Sequence, residues 1–258
     1  MQLGAAGIWT TQLDNFPAAQ AQEAVAELEE LGFGALWCGE STGREALTNA
    51  GLLLAATKRI GVSHVPLVEQ LRGHRYDKPV ATMRAYLDAM DKAPYRAAPP
   101  SPKPLRVLAA LGPKMLQLSA ERSDGAHPYN TTPKHTAQAR ELLGPGPYLC
   151  PEQAVVLDKD PAKARAIARK FLAIYLTLPN YTNNFLRLGF QEADFSNGGS
   201  DKLIDAVIAW GDLKSVLNRI REHHSAGADH VCIQVLTDDP KTLPFREYRE
   251  LASAIRGN

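Results

Sequence analysis

Short runs that are apolar on both faces, separated by amphipathic helices, constrain this chain more than any other feature. "LGAAGIW" (residues 3–9), "FGALWC" (33–38), "LRVLAAL" (105–111), "YLCPEQAVVL" (148–157) and "ADHVCIQVL" (228–236) all have this character. A strand without a polar face must be covered on both sides, which calls for a parallel sheet clothed in helices. The intervening segments supply those helices. Ala24, Val25, Leu28 and Leu31 recur at helical spacing before a stop at Gly32. Arg59 suits the C-terminal dipole of the helix in "GREALTNAGLLLAATKR". Pro79 sits in the first turn of "KPVATMRAYLDAMDKA", and Asp160-Pro161 opens "DPAKARAIARKFLAIYLTL" as N-cap and first helical residue. Helices follow nearly every strand, and no Gly-x-Gly-x-x-Gly opens the first unit. The expected architecture is therefore α/β, a (β/α)8 TIM barrel, with a doubly wound open sheet as the runner-up.

The Pro-rich stretch 93–104 is too short for a domain linker, so residues 1–258 read as a single domain. The irregular, aromatic run 179–211 reads as a helical insertion near the barrel mouth. One place breaks the alternation. In "ATKRIGVSHVPLVEQ" (56–70), residues up to Ile60 read as a helix running into a strand, and residues from Gly61 as a loop just after a strand. Almost no strand lies between them.

Charge narrows the partners. With 29 Lys+Arg against 28 Asp+Glu, the net charge of +1 gives no reason to expect nucleic acid or a membrane as partner. Three scattered cysteines and an N-terminus without an export signal imply a cytoplasmic protein. No metal is expected. His223-His224 is an adjacent pair whose side chains diverge by roughly 100° on a helix, which reads as a solvated face.

The chemically suggestive stretch is "VLAALGPKMLQLSAERSDGAHPY" (107–129). A buried strand ends at Leu111 and a helix begins at Pro113, with Gly112 between them and Lys114 adding a positive charge. A helix N-terminus with free N–H groups and a glycine that permits close approach is a plausible phosphate seat; a plain tight turn is the bland reading. A second glycine-bearing strand end, "SDGAHP", follows one βα unit later.

These residues, with "GIW", "GFGALWCGES", "RGHRYDKPVATMRAYLDAMD" and "AGADHVCIQVL", give the chain its resemblance to the bacterial luciferase-like barrel superfamily. It is most similar to an actinobacterial branch that uses the deazaflavin coenzyme F420. The resemblance spans essentially the whole chain and explains the irregular joint. Family members carry, between the equivalents of Ile60 and Gly61, a third strand, its helix and most of a fourth strand, about 30–40 residues for a fold of this size. This βα unit is missing from the chain. Because the flanks keep the family pattern, the unit is expected in the protein but absent from the sequence, with true deletion as the alternative. A closed parallel barrel does not lose a strand and keep its register.

The resemblance implies a coenzyme lying across the C-terminal mouth. Gly61, Val62 and Ser63 would line one side. Ala109, Ala110, Leu111, Gly112, Pro113, Lys114 and Met115 would hold the phosphate and adjacent chain, and Gly125, Ala126 and His127 the neighbouring edge. Glu40 and His64, after the second and fourth strands, are the implied acid–base candidates. His64 stands where deazaflavin dehydrogenases of this superfamily often have a Glu, so the acid–base assignment does not transfer directly. The function implied is hydride transfer between coenzyme F420 and an organic small-molecule substrate, with homodimers common in the family. An FMN-dependent monooxygenase and a non-catalytic deazaflavin-binding protein are the competing readings.

Overall fold

In the computed structural model, residues 3–40, 43–66, 78–98 and 103–257 are described, and the side chains of residues 40 and 63–66 lie outside that description. The elements alternate as the sequence pattern demands. In order they are β1 (Ala6–Trp9), α1 (Ala18–Glu30), β2 (Ala35–Glu40), α2 (Ala46–Leu54), β3 (Gly61–Pro66), α3 (Pro79–Lys92), β4 (Val107–Ala109), α4 (Pro113–Arg122), β5 (Gly125–His127), α5 (Pro133–Leu143), β6 (Tyr148–Leu149) and β7 (Glu152–Val156). Then come α6 (Pro161–Leu172), α7 (Pro179–Leu188), α8 (Asp201–Val207), β8 (Ala209–Trp210), α9 (Leu213–Ser225), β9 (Val231–Val235) and α10 (Phe245–Arg256).

Every ladder is parallel. One sheet runs β3-β2-β1-β9-β7-β8 and the other β4-β5-β6. They are one wall turning a corner at Cys150-Pro151: Cys150 N–H donates to Ala126 O at 2.8 Å, and Cys232 N–H to Pro151 O at 2.9 Å. The sequence reads 148–157 as one strand. Pro151 has no N–H to give a ladder, so the run divides into β6 and β7. The barrel wall therefore runs β3-β2-β1-β9-β7/β6-β5-β4, with the two-residue β8 also paired to β7, and among the described residues no ladder joins β3 to β4.

The joint at Ile60–Gly61, where a βα unit was expected to be missing, lies on the other side of β3, towards β2. Residues 61–66, read as a loop, form a strand that pairs with β2 at six successive positions, from Ala35↔Gly61 to Glu40↔Pro66. Without a third strand, the outer edge of β2 would present unpaired N–H and C=O groups, and the segment after the joint takes that edge. The turn leading into it is held by Glu29, whose carboxylate accepts from the N–H groups of Lys58, Arg59 and Ile60.

The outward face of the wall packs Ile8, Leu36, Val155, Val231 and Ile233 against α1, α9 and α10. Its inward face joins Trp9, Ala35, Trp37, Cys150 and Cys232. Leu172, Phe185, Leu203 and Ile204 of the excursion between β7 and β8 belong to the inward cluster too. At ~1.5–3 kcal/mol per fully buried large apolar side chain, these contacts dock the excursion on the barrel interior rather than on the helix layer. The aromatic run 179–211 is the later part of this excursion.

Candidate active site

The interior floor is built from aromatic and histidine rings. Trp37 stacks on His127, with centroids 4.6 Å apart, and donates from Nε1 to His230 Nε2 at 3.1 Å. His230 Nε2 is thus an acceptor, and its protonated Nδ1 donates to Gly4 O at 2.8 Å. His127 donates from Nδ1 to Cys150 O at 2.6 Å. Burial pushes both histidines down to about 4, so both rings are neutral. His127, expected to line the coenzyme's edge, is 2% exposed and covered by the Trp37 ring.

Above the floor, Tyr129 follows β5 and crosses the interior. Its hydroxyl donates to Gln234 Oε1 at 2.6 Å and lies 3.2 Å from the Tyr175 hydroxyl. Trp9 packs on the Tyr129 ring at 5.0 Å, and Tyr181 on Tyr175 at 5.0 Å. Next to Tyr129, Asn130 holds a left-handed backbone with φ 53° and donates its N–H to Glu152 Oε2 at 2.9 Å. Glu152 is 1% exposed, and burial raises its carboxyl to about 8. Trp9 Nε1, both amide atoms of Asn130, Thr131 Oγ1 and Glu152 Oε1 are buried without hydrogen-bond partners.

The expected phosphate seat has a clear geometry. Gly112 is the N-cap of α4 and supplies no side-chain cap, with Pro113 in the first turn. Arg187 of α7 brings its guanidinium to this point: a Cβ on Gly112 would stand 3.6 Å from Arg187 Nη2. Arg187 also donates to Asn184 Oδ1 at 3.4 Å, and Asn184 Nδ2 is buried with no partner. His135 of α5 ties the strand end in place by donating from Nε2 to Leu111 O at 2.8 Å. Burial lowers the pKa of His135, and the nearby Arg187 charge lowers it further.

Among the sequence-predicted residues, Ala109 ends β4, Leu111 and Gly112 form the turn, and Pro113 and Lys114 begin α4, whereas Ala110 and Ala126 are buried in a helix-side cluster with Leu116 and Leu149. Met115 packs between that cluster and the one around Leu108 and Leu118. Gly125 serves close packing, since a Cβ there would meet Tyr148 O at 2.5 Å. On β3, Gly61 pairs with inward-facing Ala35, while Val62 packs against the outward cluster. Ser63 is in register with Trp37, His64 with Cys38, and Glu40 with Pro66; the side chains of Ser63, His64 and Glu40 lie outside the described structure, as do residues 71–77. His223 is not on a solvated face. It is fully buried, linking Gln153 Oε1 (2.9 Å) to Thr136 Oγ1 (2.8 Å). Glu152, Tyr129 and Arg187 were not singled out from sequence. For Glu152 a signal existed: an acid, next to Gln153, opening a strand that is apolar from Ala154 onward, "PEQAVVL".

Residues 61–230 match the signature of the luciferase-like monooxygenase family. A Mycobacterium tuberculosis protein, provisionally described as a coenzyme F420-dependent oxidoreductase, is 24% identical over 319 aligned positions covering 86% of this chain and 91% of its own. Since 86% of 258 residues is about 222, about 97 of those positions have no residue of this chain opposite them. Among solved structures, an F420-dependent secondary alcohol dehydrogenase in complex with an F420–acetone adduct superposes with a TM-score of 0.71 at 12% identity, covering 99% of this chain and 98% of its own. The coenzyme F420-dependent tetrahydromethanopterin reductase of Methanopyrus kandleri gives 0.68 at 13%, with 97% of each chain covered. At these identities the superpositions establish the fold. No helix among the described residues is long and apolar enough to cross a membrane.

Proposed function

Because the chain belongs to the luciferase-like monooxygenase family, we propose that it is an F420-dependent oxidoreductase that moves hydride between the deazaflavin and a small organic substrate. The observation that carries this reading is the seat at Gly112. An uncapped helix N-terminus, a residue without a side chain and the Arg187 guanidinium converge there, which is the donor set a phosphate needs. The provisional description of the M. tuberculosis relative supports deazaflavin as the coenzyme.

When bound, the coenzyme supplies the hydride chemistry. The chain's own residues bind and orient. Gly112 and Arg187 hold the phosphate, and His135 fixes the carbonyl of Leu111 beside them. Trp9, Tyr129 and Tyr175 enclose the interior and exclude water. By the family resemblance, Gly61 and Ser63 would serve the ring end, and Glu40 and His64 are the acid–base candidates. The substrate itself is a small molecule of unassigned structure.

The test is a fluorescence titration of the protein with coenzyme F420 and, in parallel, FMN. Binding of deazaflavin in preference to FMN is expected. Arg187→Ala should weaken deazaflavin affinity ~10–100-fold, the worth of a charge-assisted hydrogen bond. Tighter binding of FMN would move the protein to the flavin monooxygenases of the same barrel. Binding of neither would overturn the reading.

A further inference from the structure

One group at the barrel interior is left without a role by coenzyme binding. Glu152 opens β7 on the inward side of the wall, where its Oε2 is committed to the Asn130 N–H and its Oε1 to nothing. Among the described residues it makes no ion pair. The titratable groups that face it are the phenols of Tyr129 and Tyr175 and the thiol of Cys232, all neutral groups whose own ionisation Glu152 further opposes. One N–H is too little to hold a carboxylate charge out of water, so the group is a neutral carboxylic acid up to about pH 8.

An uncharged acid of this kind could be a structural anchor, since it holds Asn130 in its left-handed conformation. The hydrogen-bond inventory speaks for more than an anchor. Trp9 Nε1, His127 Nε2, both amide atoms of Asn130 and Thr131 Oγ1 are buried and unpartnered alongside Glu152 Oε1. Trp9 and His127 both pack against the Tyr129 ring, and Asn130 and Thr131 follow it in the chain, so these atoms belong to one continuous surface. Native interiors leave few polar atoms unpaired, and a concentration of them on one surface marks a place where a polar ligand completes the bonding. Because Oε1 is closed to bulk water, its proton can pass only to a group that enters the barrel.

We propose that Glu152 is the acid of the reduction direction, giving its proton to an electrophilic double bond as the coenzyme's hydride arrives. This rests on the deazaflavin reading above. The hydride's electron pair forms a new C–H bond at the electrophilic carbon of a carbonyl or conjugated alkene. The π pair moves to the far end of the acceptor, which takes the Glu152 proton. The substrate gains two electrons and two hydrogens and the reduced deazaflavin is oxidised; once product leaves, the Glu152 carboxylate recovers a proton from a water that enters the barrel in its place.

Glu152→Gln separates this role from the anchoring one, because glutamine can still accept from Asn130 N–H but has no acidic proton. The first readout is infrared. Wild type at pH 7 should show a protonated-carboxyl band that is absent from E152Q, fades as pH rises past about 8, and shifts when oxidised F420 binds. The second is anaerobic stopped-flow of protein loaded with reduced F420 against 2-cyclohexenone, which offers both a carbonyl and a conjugated alkene. Coenzyme oxidation should slow ~10²-fold or more in E152Q, with F420 affinity retained. Should E152Q fail to fold, E152D keeps the acid and should keep a displaced band with a reduced rate. No band in wild type, a band unmoved by bound F420, equal rates in E152Q, or no oxidation of the coenzyme by the enone each overturns the proposal. If F420 binds while the band stays fixed, only the Glu152 role falls; if F420 does not bind, the coenzyme reading falls first.

Discussion

A methyl group at Gly7 would stand 2.5 Å from Ala35 O and 2.7 Å from His230 Nε2. Neither neighbour can yield: the first is ladder backbone, and the second is held between Trp37 and Gly4. Gly7→Ala should therefore cost ~1–3 kcal/mol, the usual range for overpacking a filled interior. Gly51, inside α2, has open space where its Cβ would be, and Gly51→Ala should gain ~0.5–1 kcal/mol from reduced unfolded-state entropy. Urea midpoints of the two variants should move in opposite directions; a shared direction would mean that the interior around His230 is looser than described. The contrast also shows what was legible residue by residue. The place of Gly112 as N-cap of α4 was readable because it depends on its own neighbours in the chain. The need for Gly7 depends on His230, and the burial of His223 on Gln153 and Thr136, partners far away in sequence that no local pattern reveals. Arg187 was hidden for the same reason, being a helix residue whose target is the cap of a different helix.

At the scale of elements, periodicity was sufficient wherever a segment's face decides its state. The both-face apolar runs became strands, and Asp160 caps α6 by accepting from Ala162 and Lys163 N–H, as its position before Pro161 implies. Periodicity failed at β3, because what makes residues 61–66 a strand is the free edge of β2 beside them rather than their own pattern. The turn that delivers β3 to that edge depends on Glu29. Burial alone would raise the Glu29 pKa, but three backbone N–H bonds outweigh it and bring the carboxyl below its ordinary value. A lowered folded-state pKa gives stabilisation that is present above the unfolded value of 4.5 and lost as pH falls through the folded value. Glu29→Ala should cost about 1–2 kcal/mol near pH 7, the worth of partly solvated charge-assisted bonds, and progressively less towards pH 3. Denaturation of both proteins across that range checks it. An unchanged difference at pH 3 would mean that the carboxylate's charge is not what holds the turn.

For the whole molecule, no ladder among the described residues joins β3 to β4, and the alignment with the M. tuberculosis relative leaves gaps on this chain's side. The about 97 aligned positions without a residue of this chain exceed the roughly 30–40 residues of the one βα unit expected to be missing. The barrel interior excludes charge, and that has a measurable consequence. His127 and His230 inside the barrel and His223 behind the wall are held to about 4, 4 and 3 against an ordinary 6.5. Below pH 6.5 the unfolded chain binds protons that the folded one refuses, so stability is complete above that value and falls as pH drops towards 4. Glu152 acts in the opposite sense. Held at about 8 against 4.5, it keeps its proton while the unfolded chain loses one, so stability falls as pH rises from 4.5 to 8 and is level beyond. Each unmatched proton is worth ~1.4 kcal/mol per pH unit. Three histidines outweigh one carboxyl below 6.5, and the carboxyl acts alone above it, which places maximum stability near pH 6.5 with the steeper limb on the acid side. Urea unfolding at intervals from pH 5 to 8.5 should trace that dome, and E152Q should flatten its alkaline limb and steepen its acid one. A wild-type curve already level between pH 6.5 and 8 would mean that Glu152 is charged in the folded protein, and its place as a held proton would be lost.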